Sequence, residues 1–422
     1  MITPKKYKGV RDFYPADMAI QQYIFSTMKK VCQQYGYEEY GASILENTEI
    51  YRAKTGSEIV NEQTYTFFDR GNREVTIRPE MTPTVARMVA AQSKSLLFPL
   101  RWFSIPNLLR YENPQRGRLR EHWQLNVDIF GSNNIYSDIE IISVSSNIMI
   151  AFGAQKENFE IRIGSRKILN FFLKDSLQLT DDQGYKINKL LDKKNKLSDE
   201  AFQTILNDIL QDAQKEAQVI QFAQTTDLKE LANIIPSEIL TDIKILFTTL
   251  QKNNINNIIF DASIIRGFDY YTDMIFEVFD TGPENNRSLF GGGRYDNLTN
   301  IFGVSDIAAC GFGMGDVTIR DYLETYNLLP KIEKTENDIY ICVMSEQERN
   351  YASKIADQLR KSGKNITIDL SNKKIGKQIQ DASKKGFLFI VIIGQNEQEN
   401  NTYVLKNLET GEEVIENVIE VT

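Results

Sequence analysis

The segment Leu108–Gly131 constrains the fold of this chain more than any other part of its sequence. The turn formers Asn113-Pro114 and Gly117 separate two strand-like runs, and the second run alternates between apolar and polar residues. Successive side chains of a strand point to opposite faces. One face therefore carries Trp123, Leu125, Val127 and Ile129, and the other carries His122, Gln124, Asn126, Asp128 and Phe130. The pattern predicts an antiparallel hairpin whose polar face is either a solvated surface or the floor of a pocket.

The first strand of this hairpin is predicted over Arg101–Glu112. Arg110 and Glu112 then share one face of that strand. Three arginines of the hairpin loop, Arg116, Arg118 and Arg120, suit phosphate binding, because the planar guanidinium group matches phosphate oxygens. On pattern alone, a half-exposed hairpin with surface charges is an equally good interpretation.

Composition places the chain among soluble globular proteins. It has 422 residues, 41% hydrophobic and 25% charged, with a net charge of −8, which indicates about two or three domains. Its longest apolar run is far shorter than the ~20 residues of a membrane span, and its N-terminus has no apolar signal-peptide core. We therefore expect a cytoplasmic protein with no membrane partner.

Histidine and cysteine usage excludes several kinds of active site. His122 is the single histidine, so a catalytic triad or a multi-histidine metal site would have to be built around that one ring. Cys32, Cys310 and Cys342 are scattered without CxxC spacing, which disfavours a zinc site and a disulfide scaffold and fits a reducing cytosol. The sequence identifies no set of protein ligands for a metal ion.

Changes of pattern along the chain predict four stretches. Residues 1–167 and 258–330 mix strand and helix patterns and form the two parts of one core. Between them, residues 168–257 contain a single proline, Pro236, and no glycine after Gly184, with apolar residues at helical intervals, which predicts a helical insertion. Residues 331–422 alternate strand and helix signals and predict a separate small α/β domain.

Two further groups of residues could contact a ligand. Arg266, Asp269, Tyr270 and Tyr271 cluster just before a strand pattern, although an aromatic edge of the core would explain them as well. The run Gly291–Gly293 permits either close approach of the backbone to a bound group or a tight turn.

Together, these motifs resemble those of the histidyl-tRNA synthetases, a family of class II aminoacyl-tRNA synthetases. Arg110–Glu112 with the loop that follows resembles the family's class II motif 2. Arg266–Tyr271 and Gly292–Asp296 resemble its two histidine motifs, and Arg78–Glu80 with Thr82 resembles its amino-acid-binding loop. The resemblance implies an α+β fold: an antiparallel-sheet catalytic core with a helical insertion, followed by a C-terminal α/β anticodon-binding domain.

The resemblance also implies roles for matching residues. Arg110 and Arg266 are the catalytic pair and hold the α-phosphate of ATP from opposite sides. Glu112 reads the adenine amino group, and Arg118 contacts the phosphate tail. The histidine-binding set is Glu80, Thr82, Arg110, Gln124, Asp128, Arg266, Tyr270 and Tyr271. Within it, Glu80, Thr82 and Gln124 take the ammonium group, whereas Asp128 and Tyr271 hydrogen-bond the imidazole nitrogens.

The implied reaction attaches histidine to its tRNA in two steps. Histidine and ATP give histidyl-adenylate and pyrophosphate, with Mg²⁺ neutralising phosphate charge, and the terminal ribose of tRNA(His) then accepts the histidyl group.

The segment from Lys354 to Lys385 contains nine Lys and Arg residues but three Asp residues. This excess of positive charge indicates either an RNA-binding surface or a solvated helical face. A homodimer is expected, although Ser43 replaces the usual proline of the family's dimer contact.

One departure from the family pattern bears on activity. An arginine normally follows the glycines of the third class II motif and grips the ATP tail, whereas here Thr318 stands at that place. The main alternative is a non-catalytic regulatory paralogue, such as the regulatory subunit of ATP phosphoribosyltransferase, which generally lacks the anticodon domain and the arginine-containing histidine motif. A pure RNA-binding module is a further alternative, but it would not need the polar amino-acid-binding set. Because this chain keeps Arg266 and Tyr270-Tyr271, we expect an active histidine–tRNA ligase.

Overall fold

The structure, a computed structural model, describes residues 3–52, 63–194, 197–264, 270–283 and 288–418. The chain divides into two compact units, Met1–Leu329 and Pro330–Thr422. Residues 331–336, at the start of the second unit, are exposed and have no regular secondary structure.

A large, mostly antiparallel sheet forms the centre of the first unit. The described strands of this unit are β1 (Glu38–Glu39), β2 (Leu45–Asn47), β3 (Tyr65–Phe68), β4 (Glu74–Ile77), β5 (Leu100–Ser104), β6 (Asn107–Leu109), β7 (Glu121–Phe130), β8 (Phe159–Ser165), β9 (Ile258–Phe260), β10 (Met274–Asp280), β11 (Ser288–Arg294) and β12 (Ala309–Gly315). Nine of them, within the described residues, form the large sheet in the order β1-β5-β7-β12-β11-β10-β8-β9, with β6 on β7. Strands β2, β4 and β3 form a small second sheet.

Helices pack on the apolar face of the large sheet. The helices of the first unit are α1 (Pro15–Gln34), α2 (Thr48–Arg52), α3 (Thr82–Gln92), α4 (Ile135–Ala151), α5 (Arg166–Phe171), α6 (Asp181–Asp192), α7 (Asp199–Leu210), α8 (Ala213–Gln224), α9 (Leu228–Leu231), α10 (Thr241–Lys252) and α11 (Asp316–Thr325). The β7 residues Leu125, Val127 and Ile129 are buried in one core with side chains of α1 and α4. The predicted apolar face of β7 is therefore confirmed.

The stretch between β8 and β9 is helical. It contains α5–α10, and a single π-helical turn, Phe172–Ser176, continues α5. Most of these helices begin at a side-chain cap; Thr180, for example, forms a capping box with Gln183 at the start of α6. Their buried side chains, such as Leu190, Leu206 and Phe222, belong to the same core as the large sheet. The helices are thus part of the first unit.

The second unit is a five-stranded sheet with flanking helices. Its elements are β13 (Asp338–Val343), α12 (Arg349–Lys361), β14 (Asn365–Ile368), α13 (Ile375–Lys384), β15 (Phe389–Ile393), α14 (Gln395–Asn400), β16 (Thr402–Asn407) and β17 (Glu413–Asn417). The strand order is β14-β13-β15-β16-β17, parallel among the first three and antiparallel at the β16–β17 hairpin. The predicted mixed fold with a separate small α/β domain is confirmed.

One local prediction is wrong, and another, which left two interpretations open, is decided by the structure. The strand predicted over Arg101–Glu112 is interrupted at Ile105-Pro106, because proline cannot donate to a strand ladder, and β6 ends at Leu109. Arg110 and Glu112 therefore lie in the loop and not on a strand. The run Gly291–Gly293 is no tight turn; it lies in the interior of β11 and pairs with β10 and β12.

No helix in the described part of the chain combines the length and the apolar composition that crossing a bilayer requires.

Candidate active site

Every predicted histidine-binding residue in the described part of the chain lines a single cavity of about 100 Å³. The lining residues are Glu80, Thr82, Arg110, Gln124, Asp128, Tyr270, Tyr271, Gly291, Tyr295, Gly311, Phe312 and Gly313. The cavity is smaller than the roughly 300–1,000 Å³ of sites that enclose drug-sized ligands. It therefore suits a group the size of an amino acid, whereas a nucleotide would have to extend beyond it.

Glycines form the floor of this cavity. In the β7–β12 ladder, Gly311 lies opposite Asp128 and Gly315 lies opposite Gln124. A Cβ atom on Gly311 would overlap the Asp128 carboxylate, and one on Gly313 would overlap the Gln124 amide. Because these positions have no side chain, the polar groups of β7 can lie flat against the neighbouring strand.

Asp128 is a buried acidic group of the site, with 3% of its surface exposed. The hydroxyl of Tyr295 donates a hydrogen bond to its Oδ1, whereas its Oδ2 is buried and has no partner among the described residues. Burial raises the pKa of the Asp128 carboxyl to about 7, although the Tyr295 hydrogen bond opposes the shift. Burial, and then the charge of Asp128, raise the pKa of the Tyr295 hydroxyl, which therefore stays a donor. An N–H group entering the cavity would find an acceptor at Oδ2.

A second acidic group, Glu80, lies elsewhere on the cavity wall. It is 3% exposed and accepts a hydrogen bond from the Tyr270 hydroxyl at 3.3 Å. Thr82 begins helix α3 close by in the chain, and the Gln124 amide donates to Asn126 Oδ1 at 2.8 Å, which leaves the Gln124 carbonyl oxygen as an acceptor. The arrangement offers several oxygen acceptors to a cationic group.

Arg110 connects the cavity to the hairpin loop. Its Nε donates to the carbonyl of Pro79 at 2.8 Å, and its guanidinium lies 3.9 Å from Glu112. Arg118, whose side chain is 61% exposed, approaches the same Glu112 carboxylate at 3.6 Å. Arg110, Glu112 and Arg118 therefore form one polar group beside the cavity, with cations on either side of a carboxylate.

The other two loop arginines have structural partners. Arg116 forms an ion pair with Asp321 of α11 at 2.9 Å. Arg120 is buried, donates to the Tyr7 hydroxyl and lies over the ring of Tyr111. These contacts anchor the loop. Of the three arginines predicted to bind phosphate, Arg118 is therefore the one that stays a candidate.

His122 has no place in the cavity lining. Its side chain is desolvated, and burial, with the neighbouring Arg110 and Arg11 charges, lowers its pKa to about 3. The ring is therefore neutral at physiological pH.

Two other predicted positions, Thr318 and Arg266, lie apart from the cavity lining or outside the described residues, and Arg320 follows Thr318 on α11. The Thr318 hydroxyl donates to the Leu289 carbonyl at 2.8 Å, and Arg320 pairs with Asp17 and Glu324. Arg266 lies outside the described residues, so its position remains a prediction.

Sequence reasoning did not assign Tyr295 or the glycine floor to the site. Tyr295 belongs to the second histidine motif, so the match to that motif could have identified it as a site residue. The neighbouring Arg294 has a structural partner instead, because it forms a buried ion pair with Asp138. The spacing of Gly311, Gly313 and Gly315 at every second position was a signal that one strand face is bare.

Comparison with known proteins agrees with the motifs. A family profile described as histidyl-tRNA synthetase matches residues 9–317, and one described as anticodon binding domain matches residues 338–421. The chain belongs to the histidyl-tRNA synthetase family. This confirms the resemblance from which the site residues of this synthetase were predicted.

Individual relatives cover nearly the whole synthetase chain. A protein of Leptospira biflexa named histidine–tRNA ligase is 45% identical over 410 residues, which are 96% of this chain and 94% of the relative. The crystal structure of a histidyl-tRNA synthetase from Nostoc has a TM-score of 0.82 at 22% identity, covering 98% of this chain and 97% of the other. A Bacillus halodurans structure described as an ATP phosphoribosyltransferase regulatory subunit/histidyl-tRNA synthetase has a TM-score of 0.76 at 22% identity, covering 91% and 97%. At such identities the two structures show the fold alone.

Proposed function

We propose that this synthetase attaches histidine to tRNA(His), at the expense of ATP, through a histidyl-adenylate intermediate. One observation carries the proposal: the acceptor groups expected for the two ends of histidine converge on a single cavity of amino-acid size. Glu80 and Asp128 are both buried, and both line the same space.

Histidine fits the cavity with its imidazole ring toward Asp128. One ring N–H donates to Asp128 Oδ2, and the Tyr271 hydroxyl pairs with the other nitrogen. The ammonium group lies against Glu80, Thr82 and the Gln124 carbonyl, since an ammonium group needs acceptor oxygens. A site built from buried polar groups rejects amino acids that would leave those groups unpaired. Phenylalanine and leucine, which have no ring nitrogen, are excluded in this way.

Adenylate formation uses the arginine beside the cavity. An oxygen of the histidine carboxylate attacks the α-phosphorus of ATP, and the bond from that phosphorus to the β-bridging oxygen breaks to release pyrophosphate. Arg110 stabilises the charge that develops at the phosphorus, with Arg266 as the second cation. Glu112 accepts from the adenine amino group, and Arg118 holds the phosphate tail. Two fixed cations supply electrostatic catalysis, so the reaction needs no side-chain base.

Mg²⁺ accompanies ATP in this proposal and neutralises its phosphate charge. Magnesium usually keeps several waters and binds through one or two carboxylates together with substrate phosphates. The part of the chain that the structure describes holds no group of three or more His, Cys, Asp or Glu side chains placed to bind a metal. We propose Glu277 as such a carboxylate, because it lies opposite Gly291, and Gly291 lines the cavity.

The second unit supplies a surface for tRNA. Most of the cations predicted for RNA binding are exposed, among them Lys354, Lys361, Lys374, Lys384 and Lys385. Asp369, one of the three acidic residues of that stretch, is buried and accepts from the Tyr340 hydroxyl at 2.6 Å. The exposed surface is therefore more basic than the sequence count alone indicates, which favours contact with a phosphate backbone.

The active protein is proposed to be a cytoplasmic homodimer. Around Ser43, the small sheet exposes large apolar side chains: Ile44 is 41% exposed, Leu45 43% and Phe68 65%. Apolar groups clustered on a surface are typical of an interface between proteins. Size-exclusion chromatography with light scattering tests the dimer independently of catalysis.

A regulatory paralogue was the alternative function, and both the relatives and the site argue against it. A regulatory subunit that bound histidine would need Glu80 and Asp128, but it would have no use for Arg110, Glu112 and Arg118 beside the cavity or for an anticodon-binding domain. The deciding experiment charges purified tRNA(His) with labelled histidine and uses another tRNA as control. Histidyl-tRNA that forms only with ATP and tRNA(His) supports the proposal, whereas histidine binding without charging supports the regulatory function.

A further inference from the structure

Three buried polar atoms near the cavity have no hydrogen-bond partner within the described part of the chain. They are the Tyr40 hydroxyl, the Ser104 hydroxyl and Asp128 Oδ2. Buried polar atoms without a partner are uncommon in native proteins, and an ordered water is a frequent explanation for them. Asp128 lines the cavity, whereas Tyr40 and Ser104 do not. Polar atoms without a partner are therefore found both on a cavity-lining residue and on two residues outside the lining.

Strand register brings these atoms to one side of the sheet. In the β5–β7 pair, Trp102 lies opposite Asp128, and Ser104 lies opposite Asn126. Side chains two residues apart on a strand share a face, so Ser104 and Asp128 lie on the same face. That face is the one that carries the cavity.

Tyr40 directly follows β1 and lies beside β5. Its N–H donates to the Phe103 carbonyl at 2.9 Å, and its ring packs against Trp102 with 5.6 Å between centroids. The Ser104 hydroxyl is a close neighbour of the Tyr40 hydroxyl, although neither makes a hydrogen bond of normal geometry. The charge of Asp128 also acts on the Tyr40 hydroxyl, which burial keeps protonated by raising its pKa. Tyr40 therefore offers a protonated hydroxyl next to Trp102, the residue that lies opposite Asp128.

We propose that Tyr40 is a positioning residue for Asp128, and that its hydroxyl and that of Ser104 hold one ordered water against Asp128 Oδ2. Three polar neighbours are enough to fix a buried water. A carboxylate oxygen has two lone pairs, so Oδ2 can accept from this water and from the imidazole N–H at once. The inference rests on the proposed function and assigns a further specificity-determining residue to the same site.

The bridge would do two things for Asp128. Tyr295 fixes only Oδ1 of the carboxylate, and a second contact at Oδ2 would set the plane of the group. A donated hydrogen bond also favours the ionised carboxylate, which burial alone disfavours. Supporting contacts of this kind decide whether a binding group holds its productive geometry.

Tyr40→Phe tests the proposal directly, because it removes the hydroxyl and keeps the ring on Trp102. The histidine KM in ATP–pyrophosphate exchange should rise roughly tenfold, with kcat and the ATP KM near wild type, since a hydrogen bond to a charged group is lost. Ser104→Ala should change the histidine KM in the same direction. Tyr37→Phe is the matched control: it also removes a tyrosine hydroxyl, but one that donates to Glu140 at 3.0 Å. It should leave the histidine KM unchanged.

A double-mutant cycle shows whether Tyr40 acts through Asp128. Histidine affinity is measured by calorimetry for wild type, Tyr40→Phe, Asp128→Asn and the double variant. Once Asp128→Asn is present, Tyr40→Phe should change the affinity by less than about threefold, because coupled residues are not additive. Equal effects in both backgrounds, or a wild-type affinity in Tyr40→Phe, would overturn the proposal. Loss of exchange in the wild type would overturn the proposed function instead, and the calorimetric cycle would still report on Tyr40.

Discussion

Gly311 lies directly opposite Asp128 in the β7–β12 ladder, with no room between them for a methyl group. Gly313 lies opposite Asn126, and a Cβ atom there would overlap the Gln124 amide. These glycines contribute to the site by leaving space, so that the polar groups of β7 can face a ligand. A substitution that fills this space should damage binding without removing any ligand-contacting group.

Gly311→Ala should therefore raise the histidine KM about tenfold to hundredfold, because the Asp128 carboxylate must move to accommodate the methyl group. ATP–pyrophosphate exchange at varied histidine gives this KM. Gly376→Ala is the control, since nothing lies within 4 Å of a Cβ at that position of α13. A wild-type histidine KM in a folded Gly311→Ala variant would contradict the geometry of the floor.

Asp128→Asn should change how stability depends on pH. Burial raises the pKa of Asp128 to about 7, whereas an unfolded-chain aspartate titrates near ~3.9. The native state therefore binds the proton of this carboxyl more tightly than the unfolded chain does. The contribution of Asp128 to the unfolding free energy is fully present below about pH 4 and is lost as the pH rises through about 7. An asparagine cannot ionise. Relative to wild type, the variant should gain about 2–4 kcal/mol in unfolding free energy between pH 4 and pH 8.

Urea unfolding at several pH values measures this difference, without histidine present. A constant difference between the two proteins across the range would show that Asp128 is not the buried acid described above. The same variant should bind histidine weakly at every pH, since the charged acceptor is gone.

Arg266→Ala should lower adenylate formation by about two to four orders of magnitude, the scale for loss of a preorganised charge contact. Arg266 lies outside the described residues, so this prediction rests on the histidine motif and on the need for a second cation opposite Arg110. Single-turnover adenylation tests it, with circular dichroism to verify folding. A folded variant with near-normal rates would remove Arg266 from the catalytic pair.

Thr318→Arg should lower the ATP KM several-fold and leave the histidine KM unchanged. The Thr318 hydroxyl is bonded to the Leu289 carbonyl, and Arg320 is occupied by Asp17 and Glu324, so neither replaces the usual third-motif arginine. We expect Arg118 and Mg²⁺ to hold the ATP tail in the wild type, with a raised ATP KM as the consequence. An increase of the ATP KM in Thr318→Arg would show that the phosphate tail lies elsewhere.

Charge reversal in the second unit should weaken tRNA binding. Lys373 and Lys377 share the carboxylate of Asp381, at 2.5 Å and 3.9 Å, whereas Lys374 is exposed at the start of α13. Lys374→Glu is therefore the preferred single substitution, because Lys374 does not share the Asp381 carboxylate with Lys373 and Lys377. The slope of log affinity against log salt should fall by about one unit per lost phosphate contact. Lys406→Glu, on β16, is the control; equal slopes for the two variants would place the RNA surface elsewhere.

Much of the fold follows from local sequence patterns. The alternation through Asp128 predicted β7 and its two faces, because side-chain direction depends only on strand geometry. The break at Pro106 was missed because apolar, strand-forming residues lie on both sides of it. The Gly291–Gly293 run was ambiguous, since glycine tolerates both turns and strand interiors.

The site was predictable residue by residue but not as an arrangement. Motifs gave Glu80 and Asp128, yet only the strand register shows that β11 and β12 bring a glycine floor beneath them. The support for Asp128 comes from residues far apart in sequence, namely Tyr295 and, in our proposal, Tyr40. Such long-range contacts leave no periodic signal in a single sequence.

Histidine-dependent ATP–pyrophosphate exchange, run with wild-type protein against a panel of other amino acids, tests the central claim most directly. We predict exchange with histidine at saturating ATP and negligible exchange with phenylalanine, leucine, glutamine and lysine, because only an imidazole pairs with both Asp128 and Tyr271. Absence of histidine-dependent exchange at every ATP concentration would contradict the account and favour the regulatory function.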